Sequence, residues 1–334
     1  MKSSDVLVLG AGAAGLSAAR TLTDFGISTR VLDKGRGVGG RMATRRMGDR
    51  NAPRGRWDHG AQFATFRSSA LMDTLRAWNA WDLMAQWIPA HEHSDLMRRR
   101  PIEGMNAFAK RLAEGLDIHT SQRVNALRFT PEGWEAHTES REVFRASTLL
   151  CTFPPPQCVA LFRTCEGPLS PEPLRQLAAV DYQPALTLLA EMAEPELIPP
   201  PGYMHPSSGV LDTVADQHRK GVSKAYTIVA HATPLFSREW IDRDRSTALG
   251  VLRAALSEVT GGTVIHAEIH GWRYARPVER VGASFLRLGD GLYAAGDGFA
   301  AGDEDALPDE RPRIESALLS GRAAAMEIAD RMGH

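Results

Sequence analysis

The stretch "DVLVLGAGAAGLSAA", residues 5–19, decides the fold. Asp5 to Leu9 form a short apolar run rich in Val and Leu, fit for a central parallel strand. Gly10, Gly12 and Gly15 follow as G-x-G-x-x-G, and residues 13–25 read as a helix. Each glycine has a reason. Gly10 permits the tight turn, Gly12 lets the backbone approach a pyrophosphate, and Gly15 lets helix and strand pack closely. Residues 29–32, "TRVL", read as a second strand with Asp33 at its end, placed to accept the ribose hydroxyls of an adenosine. Strand, glycines, helix, strand and acid in this order describe a dinucleotide-binding unit.

Working outward, "DKGRGVGGRM" (33–42) adds Gly39, Gly40 and Arg41. A nicotinamide dinucleotide domain does not need them. They suit a second close approach to the same pyrophosphate, with Arg41 as counter-charge. At the far end, "GDGLYAAGDGFA" (289–300) runs through an apolar strand into Gly296 and Asp297. In the closing segment, Ile314, Ala317, Leu318, Gly321, Ala324, Ala325 and Ile328 recur at helical spacing, and the small residues allow close packing.

"GAGAAG" (10–15), "DKGRGVGGRM" and "DHGAQF" (58–63) together resemble the FAD-dependent amine oxidase superfamily and, within it, the renalase family. The resemblance implies an α/β fold, a glutathione-reductase-type FAD (Rossmann-like) domain with an inserted α+β substrate domain. The FAD-binding domain is discontinuous, expected over 1–65, 96–160 and 273–334, with 66–95 and 161–272 forming the substrate domain. The two ends of the chain then serve one non-covalent FAD. Its implied contacts are Gly10, Gly12, Ala14, Gly15, Asp33, Lys34, Gly40, Arg41, Met42, Ala61, Gln62, Val124, Gly296, Asp297 and Ile314, the last at the start of a helix aimed at the flavin pyrimidine, where a helix N-terminus favours negative charge.

Three segments bear on chemistry. Gln62 has an amide that both donates and accepts; the alternative is a buried structural turn. "HGWRYARP" (270–277) matches a renalase stretch, and on a strand His270, Trp272 and Tyr274 share one face while Arg273 takes the other. Trp272 and Tyr274 then sandwich a planar substrate ring, or serve as core residues of a domain junction. His231 in "VAHATPLFSREW" (229–240) is a polar group of the substrate cavity, or a satisfied structural histidine. The catalytic candidates are therefore Gln62, His231, Trp272 and Tyr274.

The renalase resemblance implies oxidation of 2- or 6-dihydro isomers of NAD(P)H. Hydride passes to flavin N5, and dioxygen reoxidises the flavin to give hydrogen peroxide. The partner is a small molecule, a dihydronicotinamide dinucleotide. Typical amine oxidases of the superfamily use a lysine near N5 and an aromatic cage. The five lysines here include Lys220 and Lys224, flanking "AYTIVAH", in no recognised pattern of that kind. Amine oxidase or desaturase-like dehydrogenase chemistry and a non-enzymatic FAD- or NAD-binding sensor stand as alternatives.

With 334 residues, 43% hydrophobic, 24% charged and a net charge of -1, nothing points to nucleic acid or a membrane surface. No apolar run approaches the ~20 residues of a spanning helix, and no export signal is evident. Cys151, Cys158 and Cys165 lack metal or disulfide spacing, so buried thiols, a cytoplasmic setting and no metal are expected. The middle reads as a helix at 104–115, strands at 117–119, 123–129 and 133–138, and a strand from 146 ending in the hinge "TFPPPQ". Further strands follow at 184–192, 224–231 and 265–272, with a helix at 245–259. Two loops stay open. "RMATRRMGDRNAPRGRW" (41–57) sets six arginines against Asp49, as a solvated loop or a phosphate-attracting one. The acidic stretch 299–313, a departure from the renalase pattern, is a surface loop or shapes the substrate site.

Overall fold

The structure is a computed structural model and describes residues 2–48, 54–89, 97–300 and 314–334. The acidic loop at 301–313 and part of the arginine-rich loop, 49–53, lie outside the described residues. The chain runs β1 (Lys2–Leu9), α1 (Ala13–Asp24), β2 (Thr29–Leu32), β3 (Thr44–Met47), β4 (Gly55–Asp58), α2 (Ser69–Ala77), β5 (Met84–Ile88), β6 (Arg98–Pro101), α3 (Met105–Ala113) and β7 (Asp117–His119). It continues through β8 (Val124–Thr130), β9 (Gly133–Thr138), β10 (Val143–Cys151), α4 (Pro155–Phe162), α5 (Pro171–Ala178), β11 (Tyr182–Met192), β12 (Tyr203–Met204), β13 (Leu211–Asp216) and β14 (Thr227–Ala232). The last elements are α6 (Pro234–Trp240), α7 (Arg245–Thr260), β15 (Val264–Pro277), β16 (Leu286–Gly289), β17 (Leu292–Ala294) and α8 (Ile314–Arg331).

One sheet has the order β16-β17-β10-β1-β2-β7. β17, β10, β1, β2 and β7 run parallel. The C-terminal strand therefore lies two places from the N-terminal one. β10 is long enough to serve two partners on one side: Val143–Ala146 pairs with β9, and Leu149–Cys151 pairs with β17. Both faces of β1 are covered, so it reads as an unbroken apolar run. Val6 and Val8 face a core shared with α1, α3 and α8. Leu7 and Leu9 face the opposite core, with β9, α4 and α5. The small residues of α8 act as expected: a Cβ at Gly321 would lie 2.1 Å from the Ala14 carbonyl oxygen, so only glycine lets the two helices approach this closely.

The second sheet has the order β12-β13-β14-β11-β15, with antiparallel pairing. One face carries Leu186, Leu188, Ala190, Ile228 and Ala230 and is roofed by α6 and α7. The other meets the β3–β4 hairpin, where Met47 and Trp57 pack on Leu189 and Val229. Trp57 is almost wholly buried, and its indole N–H donates to the Ala190 carbonyl at 3.0 Å. Burying a side chain of that size stabilises the seam by roughly 1.5–3 kcal/mol.

Two expectations change. The stretch "TFPPPQ" is not an extended hinge: Pro154 and Pro155 open α4, where a proline at the first helical position loses no hydrogen bond. Residues 69–84, expected with the substrate domain, send Leu71, Leu75, Trp78 and Met84 into the core of the parallel sheet. Likewise Leu161, Phe162 and Leu177 join the core on that sheet's other face.

Candidate active site

The glycine loops meet at the carboxyl end of the parallel sheet, where open α/β folds bind ligands. Gly10 has φ +110° and Gly296 φ +140°, backbone that side chains rarely adopt. Thr152 lies between them. Its hydroxyl donates to the Leu9 and Gly10 carbonyls, and its own carbonyl oxygen lies 3.4 Å from where a Gly296 Cβ would sit. Gly12 caps α1 without a side-chain partner, and a Cβ there would meet nothing within 4 Å. The start of α1 thus faces open space. Gly15 differs, since its Cβ would stand 1.8 Å from the Gly10 carbonyl oxygen. Gly40 approaches Gly12 closely, a Cβ there lying 3.7 Å from the Gly12 Cα. Met42 beside it is buried, and Ala14 is buried in the first turn of α1.

Asp33 accepts from the Ala11 and Gly35 backbone N–H groups, both at 2.6 Å, which fixes its carboxylate at the end of β2. Lys34 donates to Gln157 at 2.9 Å, and Val124 opens β8. Ile314 is the first described residue of α8. Its neighbour Glu315 is buried and accepts from the Arg67 and Ser68 N–H groups at 2.7 and 2.8 Å.

Arg41, expected as a free counter-charge, is a latch. It makes a two-pronged pair with Asp297 at 2.5 and 2.6 Å and donates to the Tyr274 and Ala275 carbonyls. The Tyr182 hydroxyl also donates to Asp297, at 3.0 Å. Burial opposes the charge on Arg41, but the Asp297 carboxylate outweighs it and holds the guanidinium protonated. The N-terminal half, the C-terminal turn and one end of the second sheet, where β11 pairs with β15, are tied at this one point.

The loop 58–62 lies against Arg41: the Ala61 N–H donates to the Arg41 carbonyl at 2.9 Å. Asp58 is fully buried and accepts from Thr44 at 2.5 Å, the Met105 N–H at 2.9 Å and Lys220 at 2.7 Å. Lys220 is itself fully buried, and loss of water lowers its pKa while Asp58 acts to raise it. Gln62, expected to present its amide to a ligand, has its carbonyl engaged by Gln217 at 3.0 Å and Lys220 at 3.3 Å. Its NH2 donates to the Asp58 carbonyl. Both acceptor positions of the Gln62 oxygen are therefore taken.

His231 lies under this loop. Its Nδ1 bonds Thr213 at 3.0 Å, and it also meets the His59 and Gly60 carbonyls. Burial lowers its pKa to about 4, and that of His59 falls to about 4 for the same first reason, so both are neutral near pH 7. Trp272 donates to the His59 carbonyl at 2.8 Å and stacks on the His59 ring at 5.2 Å. Tyr274 meets Tyr182 edge-on at 5.9 Å. His270 and Trp272 meet edge-on at 4.5 Å, and Trp272 and Tyr274 each spend a ring contact on another part of the protein. A different aromatic group stands beside the loop: Phe63, Trp87 and Tyr203, with centroids 5.5–6.4 Å apart.

The sequence model for flavin-containing amine oxidoreductases matches residues 74–329, and one for an NAD(P)-binding Rossmann-like domain matches 8–78. The chain belongs to the flavin-containing amine oxidoreductase family. It is an FAD-dependent oxidoreductase. Similar solved structures include a putrescine oxidase double mutant (14% identity, TM-score 0.75, covering 99% of this chain and 100% of that one). Cyclohexylamine oxidase from Brevibacterium oxydans gives 13% identity and TM-score 0.73, covering 99% and 100%. A putative protoporphyrinogen oxidase from Exiguobacterium gives 12% and 0.71, covering 99% of each chain. At these identities the likeness is one of fold.

FAD fits the residues present. The uncapped start of α1, the open space over Gly12 and the adjoining Gly40 suit a pyrophosphate. Asp33 keeps lone pairs for ribose hydroxyls. The sequence reading missed Lys220, Gln217, Thr152 and Tyr182. Lys220 was weighed, but a lysine between two strands gives no signal of burial until the fold sets it beside Asp58.

Proposed function

We propose that the protein oxidises a dihydropyridine isomer of a nicotinamide nucleotide, with dioxygen as the final acceptor. The observation that supports this reading is that Asp58 and Gln62 are engaged by Lys220 and Gln217, while the neighbouring His59 and His231, with pKa values lowered to about 4 by burial, are poor proton acceptors. Gln62 has no acceptor left, and Lys220 is tied to Asp58. An amine arrives as an ammonium and must lose a proton before hydride can leave its α-carbon. A dihydropyridine arrives neutral, and aromatisation drives hydride departure without a protein base.

When bound, FAD supplies the hydride acceptor and the return of the electron pair to dioxygen. Hydride, one proton and dioxygen balance to hydrogen peroxide, and the ring leaves as a pyridinium. The chain contributes position. Lys220, Gln217 and Asp58 fix the loop, Trp272 holds the His59 carbonyl, and the Arg41–Asp297 latch sets it against the cofactor cradle.

Anaerobic mixing with 2- and 6-dihydro-NAD(P) should bleach the flavin within seconds, while putrescine and cyclohexylamine leave it yellow. Bleaching by the amines alone would replace this reading with amine oxidation, and bleaching by none with a sensor. Acid precipitation should release all flavin into the supernatant.

A further inference from the structure

The aromatic group beside the 58–62 loop carries more positive charge than it neutralises. The Arg98 guanidinium, on β6, lies 4.9 Å from the Phe63 ring centre and 5.5 Å from that of Tyr203. Among the described residues it has no carboxylate or carbonyl partner. Arg276 lies 3.6 Å from the Asp212 carboxylate, outside good hydrogen-bonding distance. Burial raises the Tyr203 phenol above its ordinary pKa, while Arg98 and Arg276 act to lower it and Asp212 to raise it. Behind Phe63, Lys220 sits 5.0 Å over the Trp87 ring, its charge answered by Asp58. Arg100, two residues along β6, is partly desolvated and has a buried Nε without a hydrogen-bond partner.

Among the described residues of this shell, Arg98, Arg100, Lys220 and Arg276 face two carboxylates, Asp58 and Asp212. The π faces that would hold an ammonium are already covered by guanidinium and ammonium groups of the protein. A second cation entering here meets repulsion. An anion meets donors held in place on aromatic rings. Arg98 offers a planar fork with no acceptor among the described residues, the arrangement that suits a phosphate.

We infer that Arg98 forms a phosphate subsite for the substrate, seating the 5′-phosphate of a nicotinamide nucleotide beside the aromatic group formed by Phe63 and Tyr203. The inference rests on the proposed reading of the site and names the part of the substrate it recognises. Loss of a phosphate then weakens binding without touching the ring that reacts. A charge-assisted, desolvated pair of this kind is worth about tenfold in affinity or more.

Equilibrium titration of the FAD-loaded protein with oxidised nicotinamide mononucleotide and with nicotinamide riboside, followed by flavin absorbance and by calorimetry, tests this without turnover. The mononucleotide should bind at least tenfold more tightly. Arg98→Gln should bring the two within about threefold of each other, and Arg98→Lys should keep part of the preference. Raised salt should weaken the mononucleotide alone. Equal binding of the two by the unmodified protein, or an equal loss for both in Arg98→Gln with normal FAD content, would overturn the subsite. If the phosphate preference holds but no dihydropyridine bleaches the flavin, the oxidation reading fails and the subsite stands.

Discussion

The cofactor cradle and the 58–62 loop lie side by side, joined at Arg41, and are built in opposite ways. The cradle is made of backbone. Gly10, Gly12, Gly40 and Gly296 keep side chains away, and the start of α1 has no side-chain cap. The loop is made of side chains that answer one another: Asp58, Gln62, Lys220 and Gln217 form a closed network with little capacity left over. The first region is open so that a ligand can complete it. The second is complete so that it stays rigid. Damage to the two should therefore look different, the cradle losing ligand and the loop losing stability.

The largest effect is expected at Lys220. Lys220→Met keeps the volume but leaves the Asp58 carboxylate buried with only Thr44 and the Met105 N–H as partners. Removing one member of a buried pair costs about 3–5 kcal/mol. Urea unfolding should show that loss, and adding Asp58→Asn should recover part of it. A loss under about 1 kcal/mol would mean that the network does not hold the loop.

The cradle gives a paired test. Gly15→Ala drives a methyl group into the Gly10 carbonyl and should cost about 1–3 kcal/mol even in flavin-free protein. Gly12→Ala meets open space at an ordinary φ of -82°, so flavin-free stability should change by less than about 0.5 kcal/mol while FAD retention falls. Equal stability loss in both variants would erase the distinction between packing glycine and ligand glycine.

This contrast also explains what was legible. Glycine spacing and β-strand periodicity are local, so Gly10 to Gly15, Asp33 and the strand before Gly296 could be read directly, and the family's rule for a returning strand joined the two ends. The side-chain network is not local. Lys220 lies 162 positions from Asp58, and Gln217 lies 155 from Gln62. Neither pairing has a spacing rule. Gln62 and His231 were legible as residues with both a structural and a functional reading open, because a polar side chain in a motif does not announce which of its partners come from within the chain. Arg41 shows the same limit in charge: the sequence offers a cation suited to a pyrophosphate, and the fold also brings Asp297 to it.

His59 in the loop and His231 beneath it carry a pH signature that the cradle lacks. His59 and His231 have folded pKa values of about 4, against 6.5 ordinarily, first because they are buried, then through His270 and Arg45 for His59 and Arg276 for His231. The unfolded chain takes up protons below pH 6.5 that the folded form refuses until about 4. Stability is therefore fully present above 6.5 and lost as the pH falls through that window. Melting temperatures from pH 7 to 4.5 should decline, and His231→Asn should decline less steeply. Parallel slopes would show that His231 is protonated in the fold.

The smallest effect is expected in the arginine-rich hairpin, where the sequence left open a role in attracting phosphate. Arg45 pairs with Glu268 on β15 at 2.5 Å, and Arg54 with Glu191 on β11 at 3.0 Å, so both are turned to the second sheet. The Arg45–Glu268 side chains are 45% and 36% exposed. Water and salt screen such a pair, which contributes about 0–1 kcal/mol. Arg45→Gln should therefore shift unfolding by less than about 1 kcal/mol at low salt and by nothing measurable near 0.5 M, where the screening length is well under the roughly 8 Å of physiological salt. Because its charge is already answered by Glu268, the same change should leave the salt dependence of nucleotide binding intact, whereas Arg98→Gln should flatten it. A flattened slope in Arg45→Gln would move phosphate attraction from the aromatic group to the hairpin.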